Sequence, residues 1–169
     1  HLRREKDSLR TAYAARLVPV NSRLRVVHLG KAHDDTWARD AKNEVAGNPR
    51  FIWRGEVPGW QVRRQFARSH VMVISSVMEG GANIVSEAIV CGVPVIASHI
   101  DGNVGLLGED YEGYYPAEDE HALAKVLYRA ETEPAFLKKL TAQCRAKRKL
   151  FTPTAEKATW RKLLKDLGV

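Results

Sequence analysis

Apolar positions in this chain fall into short continuous runs, and the stretches between them repeat with a helical period. The first run, "LRVVHL" at residues 24–29, is β-branched and is followed by Gly30, which predicts a buried strand ending in a loop. Trp37, Ala41 and Val45 then recur every four residues, predicting a helix from Asp35 to Val45 that closes near Gly47 with those three on its inner face. A short strand is expected over Arg50–Arg54. The turn-rich "GEVPGW" follows it, and Val62 and Phe66 mark a short amphipathic helix. "HVMVISS" reads as a second apolar strand. Asn83 is placed to cap a helix running to Cys91, Gly92 to end it in the left-handed conformation, and "VPVIAS" to form the next buried strand. "GYYPA" is a candidate short edge strand, and "EDEHALAKVLYRAE" and "PAFLKKLTAQCRAKRK" are candidate helices. Pro153 opens a last amphipathic helix reaching Leu167.

Strands that are apolar throughout, rather than alternating, are buried on both faces. Separated by helices, they imply an α/β fold with a mostly parallel sheet covered on both sides. No repeat, low-complexity segment or internal linker interrupts the pattern, so residues 1–169 are expected to form one domain.

Composition narrows the function classes. With 169 residues and 44% hydrophobic content the chain can bury one sizeable core. No window is apolar enough for a membrane span, and "HLRREKDSLR" lacks the greasy core of a signal peptide. Cys91 and Cys144 stand alone, without pairing framework or metal-ligand spacing, which makes a cytoplasmic location the expectation. The net charge of +7 favours an anionic partner. Its cations are dispersed over "RREK", "QVRRQFARS" and "KKLTAQCRAKRKL" without interleaved aromatics, so nucleic acid is not expected. No Ser-His-Asp or Cys-His spacing occurs. His28, His33, His70, His99 and His121 read as structural or exposed, with His99 alone near the segment of chemical interest.

That segment is "EGGANIVSE", residues 79–87. It follows a predicted parallel strand, and open parallel sheets bind ligands beyond the carboxyl ends of their strands. The amides of Gly80, Gly81, Ala82 and Asn83 lie at or just before a helix N-terminus, where free N–H groups and the helix dipole favour phosphate. Glu79 precedes this start and Glu87 lies about 6 Å along the helix from Asn83. Two carboxylates, which only accept hydrogen bonds, suit the vicinal hydroxyls of a ribose and a second sugar. The alternative is a solvated loop glutamate and a first-turn glutamate favoured by the dipole. No aspartate pair stands at a strand end for a divalent ion. Asp34-Asp35 reads as a helix cap, and Asp101-Gly102-Asn103 as a turn whose last two residues are further candidate contacts.

"VMVISSVMEGGANIVSEAIVCGVPVIAS", residues 71–98, resembles the donor-binding signature of the retaining GT-B glycosyltransferases of family 4, through Ser75, Glu79-Gly80, Glu87-Ala88, Gly92, Pro94 and Val95. The resemblance extends over nearly the whole chain, as the second, Rossmann-like domain of that fold, a three-layer arrangement with helices on both faces. It implies that Glu79 contacts the donor sugar and Glu87 the ribose. In the family an R-x4-K element supplies cations to the donor diphosphate. "HLRREK" puts Lys6 at the lysine position and His1 where arginine is usual, which brings in Arg3 or Arg4 as substitutes. Arg54, with the main chain of Gly55-Glu56-Val57, falls where family members hold the base.

The donor implied is a nucleotide sugar, UDP-linked, used without metal or other cofactor, with Lys6 and the loop amides stabilising the leaving diphosphate. "MEGGAN", "GNVGLLGEDYEGYYP" and "HLRREKD" together resemble the selenosugar synthase branch, which joins UDP-N-acetylglucosamine to selenophosphate. On this likeness the acceptor would be held by an N-terminal domain absent from the sequence, and the chain alone would transfer nothing. A non-catalytic nucleotide-binding or protein-interaction module, and a UDP-N-acetylglucosamine epimerase-like GT-B enzyme, remain the competing readings.

Overall fold

The computed structural model describes residues 1–168. Strand and helix alternate as the apolar pattern requires. After a 3-10 turn (Arg4–Lys6) come α1 (Arg10–Leu17), β1 (Val26–His28), α2 (Asp35–Gly47), β2 (Phe51–Trp53), α3 (Gly59–Phe66) and β3 (Met72–Ile74). Then follow α4 (Asn83–Val90), β4 (Val95–Ser98), α5 (Asp101–Leu107), β5 (Tyr114–Tyr115), α6 (Glu120–Thr132), α7 (Pro134–Lys147) and α8 (Pro153–Asp166). All strand pairings are parallel, as expected. They form two ladders, β1–β2 and β3–β4–β5, where the sequence predicted one sheet. The strands are also shorter than their apolar runs, because runs such as "HVMVISS" continue into loops whose backbone bonds elsewhere.

β4 is buried at all four positions and anchors the main core, with Val85, Ala88 and Ile89 of α4, Leu123 and Leu127 of α6, and Phe136 and Leu140 of α7 around it. A smaller cluster of Leu2, Leu9, Ala12, Ala41 and Phe51 seals β1–β2. At the start of β4, beyond the reach of β5, the Tyr111 hydroxyl takes the place of a strand neighbour. It donates to the Val95 carbonyl, accepts from the Val95 amide at 3.2 Å and touches Cys144 Sγ at 3.3 Å. Burial pushes the Tyr111 phenol well above its ordinary range.

Several local expectations are met. Asp34 caps α2 by accepting from Trp37 N at 3.0 Å. Gly92 closes α4 with φ +79°, a conformation that L side chains rarely adopt. Others are corrected. Asn83 does not cap α4: Ala82 holds the N-cap position without a side-chain bond, and Asn83 is the first helical residue. Asp101-Gly102-Asn103 is the first turn of α5 rather than an isolated turn. Val45 is exposed. The inner face of α2 turns instead toward Trp37, Ala41 and the buried Glu44, which accepts two bonds at 2.8 Å from Arg16 and one at 2.7 Å from Asn48. Burial alone would raise the Glu44 carboxyl, but those donors outweigh it and hold it below its ordinary value. No helix among the described residues is long and apolar enough to cross a membrane.

Candidate functional site

The exit of β3 is tied to the start of the chain. Ser75 Oγ donates to the carbonyls of Lys6 (3.1 Å) and Asp7 (2.9 Å), and Val77 N donates to Glu5 O at 3.0 Å. Asp7 takes a left-handed conformation (φ 43°), and its carboxylate receives Arg10 Nε at 2.7 Å. Arg10 also pairs with Glu120. Burial works against the Arg10 charge, but the hydrogen bonds to Asp7 and Glu120 prevail and raise its pKa. The 3-10 turn is thereby strapped against the β3 loop, and Lys6 faces it.

Lys6 Nζ is bonded to Glu79 Oε1, across 73 residues of sequence, and Ser76 Oγ donates to the same oxygen at 2.7 Å. The Glu79 side chain is only 11% exposed. A buried polar chain supports this contact from behind. Ser98 Oγ donates to the Ser76 carbonyl at 2.6 Å, and Asn103 Nδ2 donates to Ser98 O at 2.9 Å and Oγ at 3.1 Å. The α5 backbone presses on the same loop: a Cβ at Gly102 would lie 2.1 Å from the Glu79 carbonyl oxygen. Glycine is required there by the close approach.

In front, Gly80, Gly81 and Asn83 are exposed, and nothing lies within 4 Å of where a Cβ would stand on either glycine. No side chain caps the start of α4; Val85 N donates to the Ala82 carbonyl at 2.9 Å, and the amides of Asn83 and Ile84 precede it. Ala82 is buried, leaving only its main chain to offer. Glu87, one turn into α4, is exposed and pairs with no cation among the described residues. Lys6 and Glu79 thus meet at the β3–α4 junction, the glycines follow directly in sequence, and Glu87 lies one turn into α4.

The other candidates stand apart from the Lys6–Glu79 contact. Arg3 Nε lies 2.9 Å from Glu5 Oε1 without hydrogen-bond alignment, and Arg4 is exposed. Arg54, following β2, lines a separate cavity of about 300 Å³ with residues of α3. His99 stacks edge-on against Tyr114 (centroids 5.0 Å apart). Burial pushes His28 down to about 4, and its Nε2 has no partner, so the ring is neutral in the fold. No group of three or more His, Cys, Asp or Glu side chains is placed to hold a metal ion among the described residues. The sequence reading missed Ser76 and Ser98 as supports of the acidic loop. Polar residues ending otherwise apolar strands were the available signal.

Parallel strands covered by helices, with a glycine-rich helix start at the exit of β3, make up an α/β fold of the class found in GT-B glycosyltransferases. Residues 4–132 match the family described as Glycosyl transferases group 1, and the chain belongs to that family. It is 33% identical, over 82 residues that make up 48% of the chain, to TuaC of Bacillus subtilis (strain 168), a protein named for a glycosyltransferase role in teichuronic acid biosynthesis. Those residues span 21% of TuaC. Among solved structures, sucrose-phosphate synthase from Thermosynechococcus elongatus superposes with TM-score 0.78 at 23% identity, over 98% of this chain and 43% of that one. Anabaena Alr3699/HepE in complex with UDP gives 0.85 at 15% identity, over 98% and 47%. Its complex with UDP-glucose gives 0.83 at 15% identity, over 96% and 46%. The chain therefore spans less than half the length of each protein it matches here.

Proposed function

We propose that this chain is the donor-binding half of a retaining, metal-independent glycosyltransferase that uses a UDP-sugar. The observation that carries the reading is the convergence of Lys6 and Glu79 beside a glycine-rich helix start that no side chain caps. The UDP and UDP-glucose complexes of the similarly folded HepE support the choice of nucleotide.

Breaking the bond between the anomeric carbon and the diphosphate oxygen sends the electron pair to the diphosphate and leaves positive character on the sugar. Catalysis by this half consists of stabilising that leaving group. Lys6, joined by Arg3 or Arg4, and the amides of Gly80, Gly81, Ala82 and Asn83 supply the compensating positive charge and N–H donors. Glu79 accepts from hydroxyls of the transferred sugar and Glu87 from those of the ribose, while Arg54 lays its guanidinium plane on the base. Membership of family 4, and of its selenosugar synthase branch with UDP-N-acetylglucosamine as donor and selenophosphate as acceptor, is part of this proposal. So are an acceptor site on an N-terminal domain and a cytoplasmic setting.

A melting series of this chain against UDP, GDP and several nucleotide sugars tests the donor reading, since a ligand that binds only the folded state raises its stability. UDP and UDP-sugars should raise Tm, and Glu87→Gln should abolish most of that rise. If no nucleotide moved Tm, or Glu87→Gln responded like the parent, a non-catalytic module would be the better description. For the branch, the full-length protein supplied with UDP-N-acetylglucosamine and selenophosphate should yield a selenium-bearing sugar by mass spectrometry. Its absence, alongside intact UDP binding, would remove the branch and leave the donor site standing.

A further inference from the structure

Several cations of this fold are matched by carboxylates: Lys6 by Glu79, Arg10 by Asp7 and Glu120, Arg16 by Glu44. A second group is not. Arg54, Arg64 and Arg68 line one cavity of about 300 Å³, and none of them makes an ion pair among the described residues. The wall contains no carboxylate. Glu56, the nearest acid along the chain, is exposed and does not line it.

This arrangement follows from the sequence of α3. Val62 and Phe66 turn inward to the core. Trp60, Arg64 and Arg68, spaced by four, form a row along the exposed side and into the turn beyond the helix. Trp60 is 54% exposed and lies on the same cavity, beside the Gln61 amide. Like charges one turn apart repel each other, so the row is electrostatically unfavourable until an anion enters. Guanidinium forks match the oxygens of a phosphate, and an indole can cover an apolar body attached to it.

We infer that this cavity is a binding site for a phosphate-bearing ligand, gripped by Arg64 and Arg68 with Trp60 and Gln61 beside it and separate from the diphosphate cradle at α4. It shares only the Arg54 wall with the proposed base position, and it does not depend on the donor reading.

The test is calorimetric titration with inorganic phosphate, at ionic strength held constant with sodium chloride. The parent chain, Arg64→Gln/Arg68→Gln and Lys6→Ala are compared. Both arginines are exposed, so the double variant should keep the parent's melting temperature. Lys6→Ala should keep the phosphate binding that the double variant loses, whatever the donor cradle itself contributes, and the double variant should bind roughly tenfold more weakly for each guanidinium removed. UDP-linked stabilisation should survive in the double variant, which separates this site from the donor site. A sedimentation arm with phosphatidylcholine vesicles containing phosphatidylglycerol identifies the source. Pelleting that the double variant loses assigns a lipid headgroup, and no pelleting assigns a soluble phosphate ester. Phosphate heats no larger than the chloride control, equal binding by the double variant, or loss confined to Lys6→Ala would each overturn the inference.

Discussion

Replacing Gly102 by alanine tests the packing that holds the acidic loop. The added methyl would sit 2.1 Å from the Glu79 carbonyl oxygen, 2.7 Å from its carbon and 3.0 Å from the Glu79 Cβ, where ordinary contact begins near 3.4 Å. Something must therefore move by about 1.3 Å. The helix cannot easily retreat, because Asn103 fastens α5 to Ser98 through two buried hydrogen bonds. The β3–α4 loop is the side that gives. Overpacking of this kind costs about 1–3 kcal/mol, which in a chain of this size lowers Tm by roughly 2–4 °C per kcal/mol. Displacing the Glu79 carboxylate by about 1 Å is worth on the order of a hundredfold in turnover if it grips the transferred sugar. A melting curve of the chain with and without UDP, and turnover of the full-length enzyme carrying the same change, measure both effects. If Gly102→Ala melted within a degree of the parent and kept full turnover, the close approach of α5 to Glu79 would not be what positions that residue.

Three other outcomes follow from the same structure. Lys6→Ala removes the cation assigned to the leaving diphosphate and should lower turnover of the full-length enzyme roughly a hundredfold, about 3 kcal/mol; a variant within threefold of the parent would argue against the assignment. Tyr111→Phe leaves the buried amide and carbonyl of Val95 without their hydroxyl partner, and chemical denaturation should show a loss of about 1–3 kcal/mol. His28 is neutral in the fold down to about pH 4 but binds a proton near 6.5 when unfolded. Stability should fall as pH is lowered through that window, by at most about 3 kcal/mol, and level off below it; His28→Gln should flatten the profile in urea titrations across pH.

The alternation of strand and helix was legible because buried parallel strands must be apolar on both faces, as "VPVIAS" is. α1 was not, because its buried positions are Thr11, Ala12, Ala14 and Ala15, small residues that give little amphipathic signal and pack against α6. α5 was hidden for a different reason. Its Asp-Gly-Asn start has turn chemistry, and the helix there is set by its contact with the Glu79 loop. Val45 was misplaced because Arg16 and Asn48 allow a glutamate to occupy the buried face of α2. At the candidate site, spacing and resemblance singled out Lys6, Glu79 and Glu87 as expectations. That the first two touch could not be read from positions 73 residues apart, since it depends on Ser75 binding the main chain of residues 6 and 7.

The bond between Lys6 and Glu79 has a consequence for how strongly a visitor can be held. Each group spends its charge on the other, so on the proposed reading a negatively charged donor and its hydroxyls would win only the margin between two arrangements. A cleft built in this way would, on that reading, capture its donor through exchange of partners and let the spent nucleotide go by restoring the original couple.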